Sequence, residues 1–465
     1  MKGFCLSSSY PEKGVGWLDI PKPEIQNPYD AILTPVAVCP CTSDVHSAKA
    51  NIGGGNAASN LILGKSGQKR PDIVLGHEAV ARVVEVGALV TDIKVGDIVA
   101  VLRCLHNFRC DGDITLYNQT IHTESTDFLC DFFELILTSC EDRHICSLAC
   151  KGESNFAAKS CRGTSHDCIS TMKIKHINSS LVYQTHCRII TAAYGVAYVP
   201  CVTPNWLTPE VQSGWYQHSG GQAGGRFTSL RDHGVFGEYF RIPFADMNLA
   251  RIPDGVSLAA GVMATDMITT GFSGVEMADV QYGDTVVVIG IGPVGLMAVA
   301  GAALRGAGRI IAVGSRPLTR KLAVEYGAET TVSYKDGPIG EQVKELLNGA
   351  KADAVIVAGG NEQTISEAMG MLHVYGRCAN LLGLSGELTI HPGDSGAFCA
   401  HKNLVGNLCP GGRVRTERML SIVKSGRLNA DKLITHEFHG LDSIEAAFDL
   451  MADKPTDLIK PIVYI

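Results

Sequence analysis

Thr285-Val-Val-Val-Ile289-Gly290-Ile-Gly292-Pro293-Val294-Gly295 is the stretch whose reading decides the fold. The run from Thr285 to Ile289 is continuously apolar after its first residue, as a parallel strand covered on both faces must be. G-x-G-x-x-G follows at once, and a helical stretch runs from Val294 to Arg305. On its own the glycine pattern says little; between a strand and a helix it describes a dinucleotide-binding turn. The first glycine makes the tight turn, the second lets a pyrophosphate approach the backbone, and the third lets helix and sheet pack closely. The helix N-terminus adds N–H groups and a favourable dipole. The bland alternative is a glycine-rich turn without a ligand.

Outward from this stretch, strands alternate with helices. Arg309–Val313, Thr330–Tyr334, Ala354–Ala358 and Arg377–Leu382 read as further strands with helical segments between them. This predicts a doubly wound α/β sheet over 270–408. An acidic residue near the end of the second strand would hold the ribose 2′-OH of NAD. Here Gly314-Ser315-Arg316 stands instead. Glycine clears room, serine can donate, and arginine offers a planar fork to a 2′-phosphate, so the expected dinucleotide is NADP(H). Arg316 as a solvated surface residue is the alternative.

Residues 1–101 and 200–269 read as β-rich. Glu78–Gly87, Val95–Val101 and Gly234–Ile242 are the clearest strands, and the tail 409–465 holds an amphipathic helix near Ser443–Met451 and a final apolar strand, Pro461–Ile465. Between these parts lies a segment of different character. Residues 102–199 hold nine of the 16 cysteines and six of the 15 histidines but four of the 51 glycines. The segment shows no sustained periodicity, and long structureless stretches are foreign to compact domains. Its cysteines lack the close C-x-x-C pairs of a structural zinc lobe. Composition favours a translated retained intron or gene-model error over an added module.

The remaining composition narrows the function. A 45% hydrophobic, 19% charged chain of 465 residues has the balance of a core-forming protein of two or three domains. A net charge of -7 carries no nucleic-acid footprint. The N-terminus lacks a signal-peptide core and no apolar run reaches membrane-spanning length. The expectation is a cytoplasmic protein whose cysteines are reduced thiols or metal ligands.

Three segments carry metal-ligand chemistry: Cys39-Pro-Cys41, His77-Glu78 and Asp266. A catalytic zinc takes three protein ligands and leaves one position open, a count that Cys41, His77 and Asp266 match. Each also has an ordinary explanation: a buried thiol, a core histidine, a helix N-cap. Glu78 either stands beside the metal or exchanges as a fourth ligand.

The segments PCTSDVH, LGHEAVARVVEVG, GVFGEYF, DMITTGF, GIGPVG, GSRP and KPTDLIKPIV resemble the NADP-dependent secondary alcohol dehydrogenases of anaerobic microbes, zinc-dependent members of the medium-chain dehydrogenase/reductase family. The resemblance covers 1–101 and 200–465. It implies a GroES-like catalytic domain beside a Rossmann domain, one catalytic zinc on Cys41, His77 and Asp266 with Glu78 adjacent, and a homotetramer. It assigns Ser43 and His46 to a proton relay, Trp206 to the substrate pocket, and Gly314, Ser315, Arg316 and Tyr334 to the 2′-phosphate. The implied substrates are small alcohols and ketones. Two departures leave the substrate range open: a Gly/Asn/Ser-rich extension between His46 and His77, and Leu-Leu-Gly-Leu after Asn380 where the family tends to carry an aromatic. A polyol or sugar dehydrogenase of the same fold, a zinc-free quinone reductase, and a cofactor-binding protein disabled by the insertion are the competing readings.

Overall fold

The structure, a computed structural model, describes residues 1–52, 72–102, 234–382, 388, 401–406 and 409–465. All of these belong to one unit, Met1–Phe108 with Tyr194–Ile465. The expected insertion therefore lies outside the described residues except for Leu102, as does Trp206.

Strands β1 (Lys2–Leu6), β2 (Val15–Asp19), β3 (Ala31–Val38), β4 (Ile73–Val74), β5 (Glu78–Val86), β6 (Ile98–Leu102), β7 (Phe240–Ile242) and β8 (Leu249–Arg251) make up the β-rich part, with helix α1 (Thr42–Ile52) after β3 and the short α2 (Ala245–Asn248) before β8. β1, β2 and β4 form a small antiparallel sheet. β3 and β5 form the centre of a larger one, paired so that Val38 faces Ala79 across the ladder. β5 is buried throughout Glu78–Ala81, because this first half is covered on both faces, and Arg82 then faces out, Val83 in and Val84 out.

The stretch Gly234–Ile242 is not one strand, contrary to the sequence expectation. Only Phe240–Ile242 pairs as a strand, along β3. Gly234–Phe236 instead bonds irregularly to the carbonyls of Val74, Gly76 and Leu75. The backbones approach so closely that a Cβ on Gly234 would lie 2.2 Å from the Leu75 carbonyl oxygen, and such contact replaces a regular ladder.

Helices α3 (Leu258–Thr265) and α4 (Met267–Met277) lead into a parallel sheet of β9 (Thr285–Ile289), β10 (Arg309–Val313), β11 (Thr330–Val332), β12 (Ala352–Val357), β13 (Leu372–Asn380) and β14 (Asn403–Gly406). Helices α5 (Pro293–Arg305), α6 (Pro317–Glu325), α7 (Ile339–Leu346) and α8 (Glu362–Met371) connect its strands. The order β11-β10-β9-β12-β13-β14, with every neighbouring pair parallel, is the doubly wound arrangement expected from the sequence. The central strand β9 is bare of charge between its ends because side chains from both helical layers cover it: Val286 and Val288 pack in one cluster, Val287 and Ile289 in another.

The chain ends with α9 (Arg413–Lys424), β15 (Ile434–His439), α10 (Ile444–Asp453) and β16 (Lys460–Tyr464). β16 runs antiparallel to β3, with Val463 opposite Val38, so the C-terminal strand joins the large β sheet. Among the described residues no helix is long and apolar enough to cross a membrane, and Cys5, Cys39, Cys41, Cys378 and Cys409 are free thiols.

Candidate active site

β3 ends at Val38 and the chain turns through Cys39 and Pro40 into α1. The β3–β5 pairing carries that turn alongside the start of β5: the Cys39 N–H donates to the Glu78 carbonyl at 3.2 Å. Cys41 is thereby set beside His77 and Glu78. Immediately before His77, Gly76 adopts φ +90° with the Phe236 ring 2.2 Å from where a Cβ would be. A side chain there would strain the backbone and displace the ring.

Asp266 arrives from another element. It lies between α3 and α4 at φ -139°, ψ -65°, and its side chain makes no helix-capping hydrogen bond, so the N-cap reading of Asp266 does not hold. The carboxylate instead accepts from Thr270 Oγ1 at 2.6 Å and extends Oδ2 to within 3.7 Å of His77 Nε2. Further along α4, Gly271 lets that helix press against α5, since a Cβ there would sit 2.6 Å from the Val294 carbonyl oxygen. The glycine thus ties the cluster's carboxylate to the helix that opens at the G-x-G-x-x-G turn.

Cys41, His77, Glu78 and Asp266 each bring one ligand atom to within 4.8 Å of the others. His77, Glu78 and Asp266 are buried. Glu78 accepts from Lys460 at 2.7 Å through Oε1, which is also 3.7 Å from His77 Nε2, and its Oε2 is buried with no hydrogen-bond partner. The pocket is electrostatically lopsided. Burial alone would lower the pKa of His77, but Asp44, Asp266 and Cys41 overcome it and raise it well above the ordinary value. Burial raises the Glu78 carboxyl as well, against the pull of Lys460. Three buried carboxylates, Asp44, Glu78 and Asp266, face the single ammonium of Lys460, so the rest of their charge is offset either by a proton on His77 or by a bound cation. Sulfur, nitrogen and carboxylate oxygen in this number suit a zinc ion.

The surroundings hold this group in place. His77 Nδ1 points away from it, 3.4 Å from Asp44 Oδ1 though not aligned for a hydrogen bond. Asp44 is in turn fixed by the N–H groups of Cys41 at 2.9 Å and Gly76 at 3.3 Å. A carboxylate behind a ligating histidine orients the ring and raises its basicity. Ser43 Oγ lies 3.4 Å from His77 Nε2. His46 follows three residues later on the same face of α1 and is exposed to solvent.

In the nucleotide fold, Gly290 takes φ +88° and its missing Cβ would meet Gly359 at 2.3 Å. Gly295 has the Gly290 carbonyl oxygen 2.0 Å from its would-be Cβ, so both are closed by backbone. Gly292 has nothing within 4 Å at that point, the cradle a pyrophosphate would use, and Gly292 and Pro293 start α5 as N-cap and first residue. Gly314 serves packing more directly than the sequence implied: a Cβ there would lie 2.3 Å from Ile291. Ser315 Oγ donates to the Tyr334 hydroxyl at 2.8 Å, bringing those two expected residues together. Arg316 begins α6 as its N-cap, and its guanidinium bonds the Leu458 carbonyl.

Four residues were missed from the sequence: Asp44, Thr270, Lys454 and Lys460. Lys454 ends α10 in the left-handed conformation at φ 48°. Burial, and then Lys49 and Arg316, lower its pKa, against the raising effect of Cys41. The one legible signal was Lys460, a charge set in the otherwise apolar Leu458–Ile465.

Comparison with known proteins agrees with this architecture. Residues 27–123 match the family model of the alcohol dehydrogenase GroES-like domain, and 293–425 that of the zinc-binding dehydrogenases. The chain is 40% identical to an NADP-dependent isopropanol dehydrogenase of Thermoanaerobacter brockii and 38% identical to that of Clostridium beijerinckii, covering 100% of both partners in each case. An Entamoeba histolytica protein of the same name is 36% identical over 97% of this chain and 93% of its own. Among solved structures, galactitol-1-phosphate dehydrogenase from Escherichia coli superposes with a TM-score of 0.65 at 17% identity, covering 100% of each chain. The 2R,3R-butanediol dehydrogenase from Bacillus subtilis gives 0.61 at 20%, covering 100% of this chain and 99% of its own. At those identities the structural likeness speaks for the fold. The chain belongs to the zinc-dependent alcohol dehydrogenases of the medium-chain family, with a GroES-like catalytic part and a Rossmann nucleotide-binding part.

Proposed function

We propose that this enzyme interconverts small secondary alcohols and ketones with NADP(H), at the cluster of Cys41, His77, Glu78 and Asp266. The observation that carries the reading is the convergence of these four donors from three separate chain segments, in a full-length relative of isopropanol dehydrogenases. Cys41, His77 and Asp266 would hold the zinc, which supplies Lewis-acid stabilisation of negative charge on the substrate oxygen. NADP(H), cradled at Gly290–Gly295, supplies the hydride donor or acceptor. Ser315 and Tyr334 mark the edge of the nucleotide site suited to a 2′-phosphate, with Gly314, Arg316 and Lys454 around them.

The chain's own task is to move a proton. Ser43, beside the cluster, takes the proton of the alcohol and passes it toward His46, which reaches solvent. Partial burial, followed by the charges of Lys454 and Lys49, lowers the His46 pKa. The imidazole is then neutral near pH 7 and able to accept. Asp44 and Thr270 fix His77 and Asp266 throughout.

The catalytic part comprises 1–101, 200–269 and 409–465 in this reading, with 270–408 as the nucleotide part and 102–199 as an insertion of foreign composition. A homotetramer, carried over from the resemblance, and a cytoplasmic location, expected from the sequence, are part of the same proposal. The test is NADPH oxidation by 2-butanone with the purified full chain, beside zinc stoichiometry. Turnover with one zinc per chain supports the reading. Turnover with polyols or sugars but not 2-butanone would replace the substrate class. Cofactor binding with no turnover on either would mark a disabled relative.

A further inference from the structure

Arg415 is 7% exposed, in the first turn of α9. Its guanidinium directs three bonds at α4: Nε donates to Thr269 Oγ1 at 3.0 Å, Nη2 to the Thr269 carbonyl at 3.2 Å and Nη1 to Glu276 Oε1 at 2.7 Å. The Thr269 hydroxyl, itself buried, donates in turn to the Pro410 carbonyl at 2.8 Å. One side chain thus joins the first turn of α4, its last turn and the residues that lead into α9. Helix packing does not call for a charge there, since Met419 and Leu420 on the same buried face of α9 are apolar. A buried guanidinium is costly unless its N–H groups are paired.

The start of α4 lacks the support that a helix start ordinarily has. An aspartate at the N-cap usually accepts from the free N–H groups of the first turn. Asp266 holds that position and makes no capping bond, because its carboxylate goes to Thr270 and toward His77. We infer that Arg415 is a positioning residue that fixes the uncapped start of α4, and with it the α3–α4 break, so that the Asp266 carboxylate stays in reach of the metal. The inference rests on the metal-centre reading above. Both α3 and α4 pack against α9, so the arginine works across an existing contact. The Thr270 N–H bonds the Asp266 carbonyl at 2.8 Å, so a shift of the first turn carries Asp266 with it. Metal–ligand distances hold to within about 0.2 Å, and a small shift is therefore felt at the metal.

The experiment measures zinc affinity by chelator competition, and cobalt(II) d–d bands, in the full-length parent, Arg415→Met, Thr269→Val and the double variant. Arg415→Met is expected to bind zinc about tenfold more weakly, the low end for groups that support metal ligands, and to show altered bands. Thr269→Val should change both in the same direction. The double variant should be little worse than Arg415→Met, because the two residues act through one set of bonds. A lower melting temperature in Arg415→Met with parent-like affinity and bands would make the arginine a packing residue and overturn the inference. Losses that simply add in the double variant overturn it too. If Arg415→Met fails to fold, Thr269→Val decides alone, since it cuts the same link and keeps the side chain's shape. A parent that binds neither zinc nor cobalt sinks the metal-centre reading and this inference with it, whereas a metal-loaded parent with unresponsive variants sinks this inference alone.

Discussion

Thr270 Oγ1 donates to Asp266 Oδ1 at 2.6 Å, while the second oxygen of that carboxylate, Oδ2, stands 3.7 Å from His77 Nε2. The two residues lie one helical turn apart, at the break and in the first turn of α4. The hydroxyl therefore selects which carboxylate oxygen faces the cluster. Replacing Thr270 by valine keeps the shape and removes the donor. Zinc affinity is expected to fall about 10- to 100-fold, the usual effect of removing a group behind a metal ligand. Thr270→Ser should retain most of it. Chelator competition on the purified variants measures this, and an unchanged affinity in Thr270→Val would show that Asp266 needs no such guide.

The three glycines of the nucleotide turn answer to different constraints, and alanine separates them. At Gly292 a Cβ meets no protein atom within 4 Å, whereas at Gly295 it falls 2.0 Å from the Gly290 carbonyl oxygen. Gly292→Ala is expected to fold normally and to bind NADPH at least tenfold more weakly, about 1.4 kcal/mol, because the methyl group occupies the pyrophosphate's approach. Gly295→Ala must move α5 away from the sheet and should lose thermal stability as well as binding. Equal melting temperatures in the two variants, with equal cofactor affinity, would refute the distinction.

This contrast shows what local sequence conveys. Thr285–Gly295 was readable because its constraints are local: an apolar strand, a positive-φ turn and a helix start lie within eleven consecutive positions. The metal-capable cluster is held by pairings remote in sequence. Cys41 meets His77 because Val38 pairs with Ala79, and Lys460 reaches their neighbours Pro40 and Glu78 because Val463 pairs with Val38. No periodicity in one segment encodes the register of another, so the ligand set emerged through likeness to a family. The break at Gly234–Gly237 was hidden for a similar reason. Its Val235 and Phe236 continue the apolar character of Tyr239–Ile242, but the close approach of Gly234 to Leu75 belongs to the tertiary structure.

Cofactor choice should respond to Ser315, not to Gly314. The Ser315 side chain bonds Tyr334 at the exposed rim. A carboxylate there would repel a 2′-phosphate and could accept from a ribose hydroxyl. Ser315→Asp is expected to raise KM for NADPH at least tenfold and to improve NADH use, about 1.4 kcal/mol or more in the ratio. Gly314→Asp instead collides with Ile291 and should impair both cofactors. Steady-state kinetics with both dinucleotides decide. An unchanged preference in Ser315→Asp would remove that side chain from the 2′-phosphate site.

Asp246 supplies a pH-dependent clasp on the β-rich part. From α2 its carboxylate accepts from the Thr91 N–H at 2.7 Å, the Thr91 hydroxyl at 3.1 Å, the Asp92 N–H at 3.0 Å and the Ile93 N–H at 3.1 Å. Burial pushes its pKa up, but the N–H groups of Thr91, Ile93 and Asp92, with the Thr91 hydroxyl, outweigh burial and leave it below the ordinary value. A depressed pKa in the folded state means that the contribution is complete above the unfolded value of about 3.9 and is lost as pH falls through the folded one. Asp246→Asn keeps one acceptor and drops the charge. Because the group is partly exposed, solvent screening holds the expected loss near pH 7 to about 1 kcal/mol. The gap between parent and variant should narrow as pH falls below about 4 and vanish once the parent carboxylate is protonated. Urea midpoints at pH 7 and at successively lower pH measure the gap. A difference that persists unchanged into strong acid would show that Asp246 acts through shape alone and not through its charge.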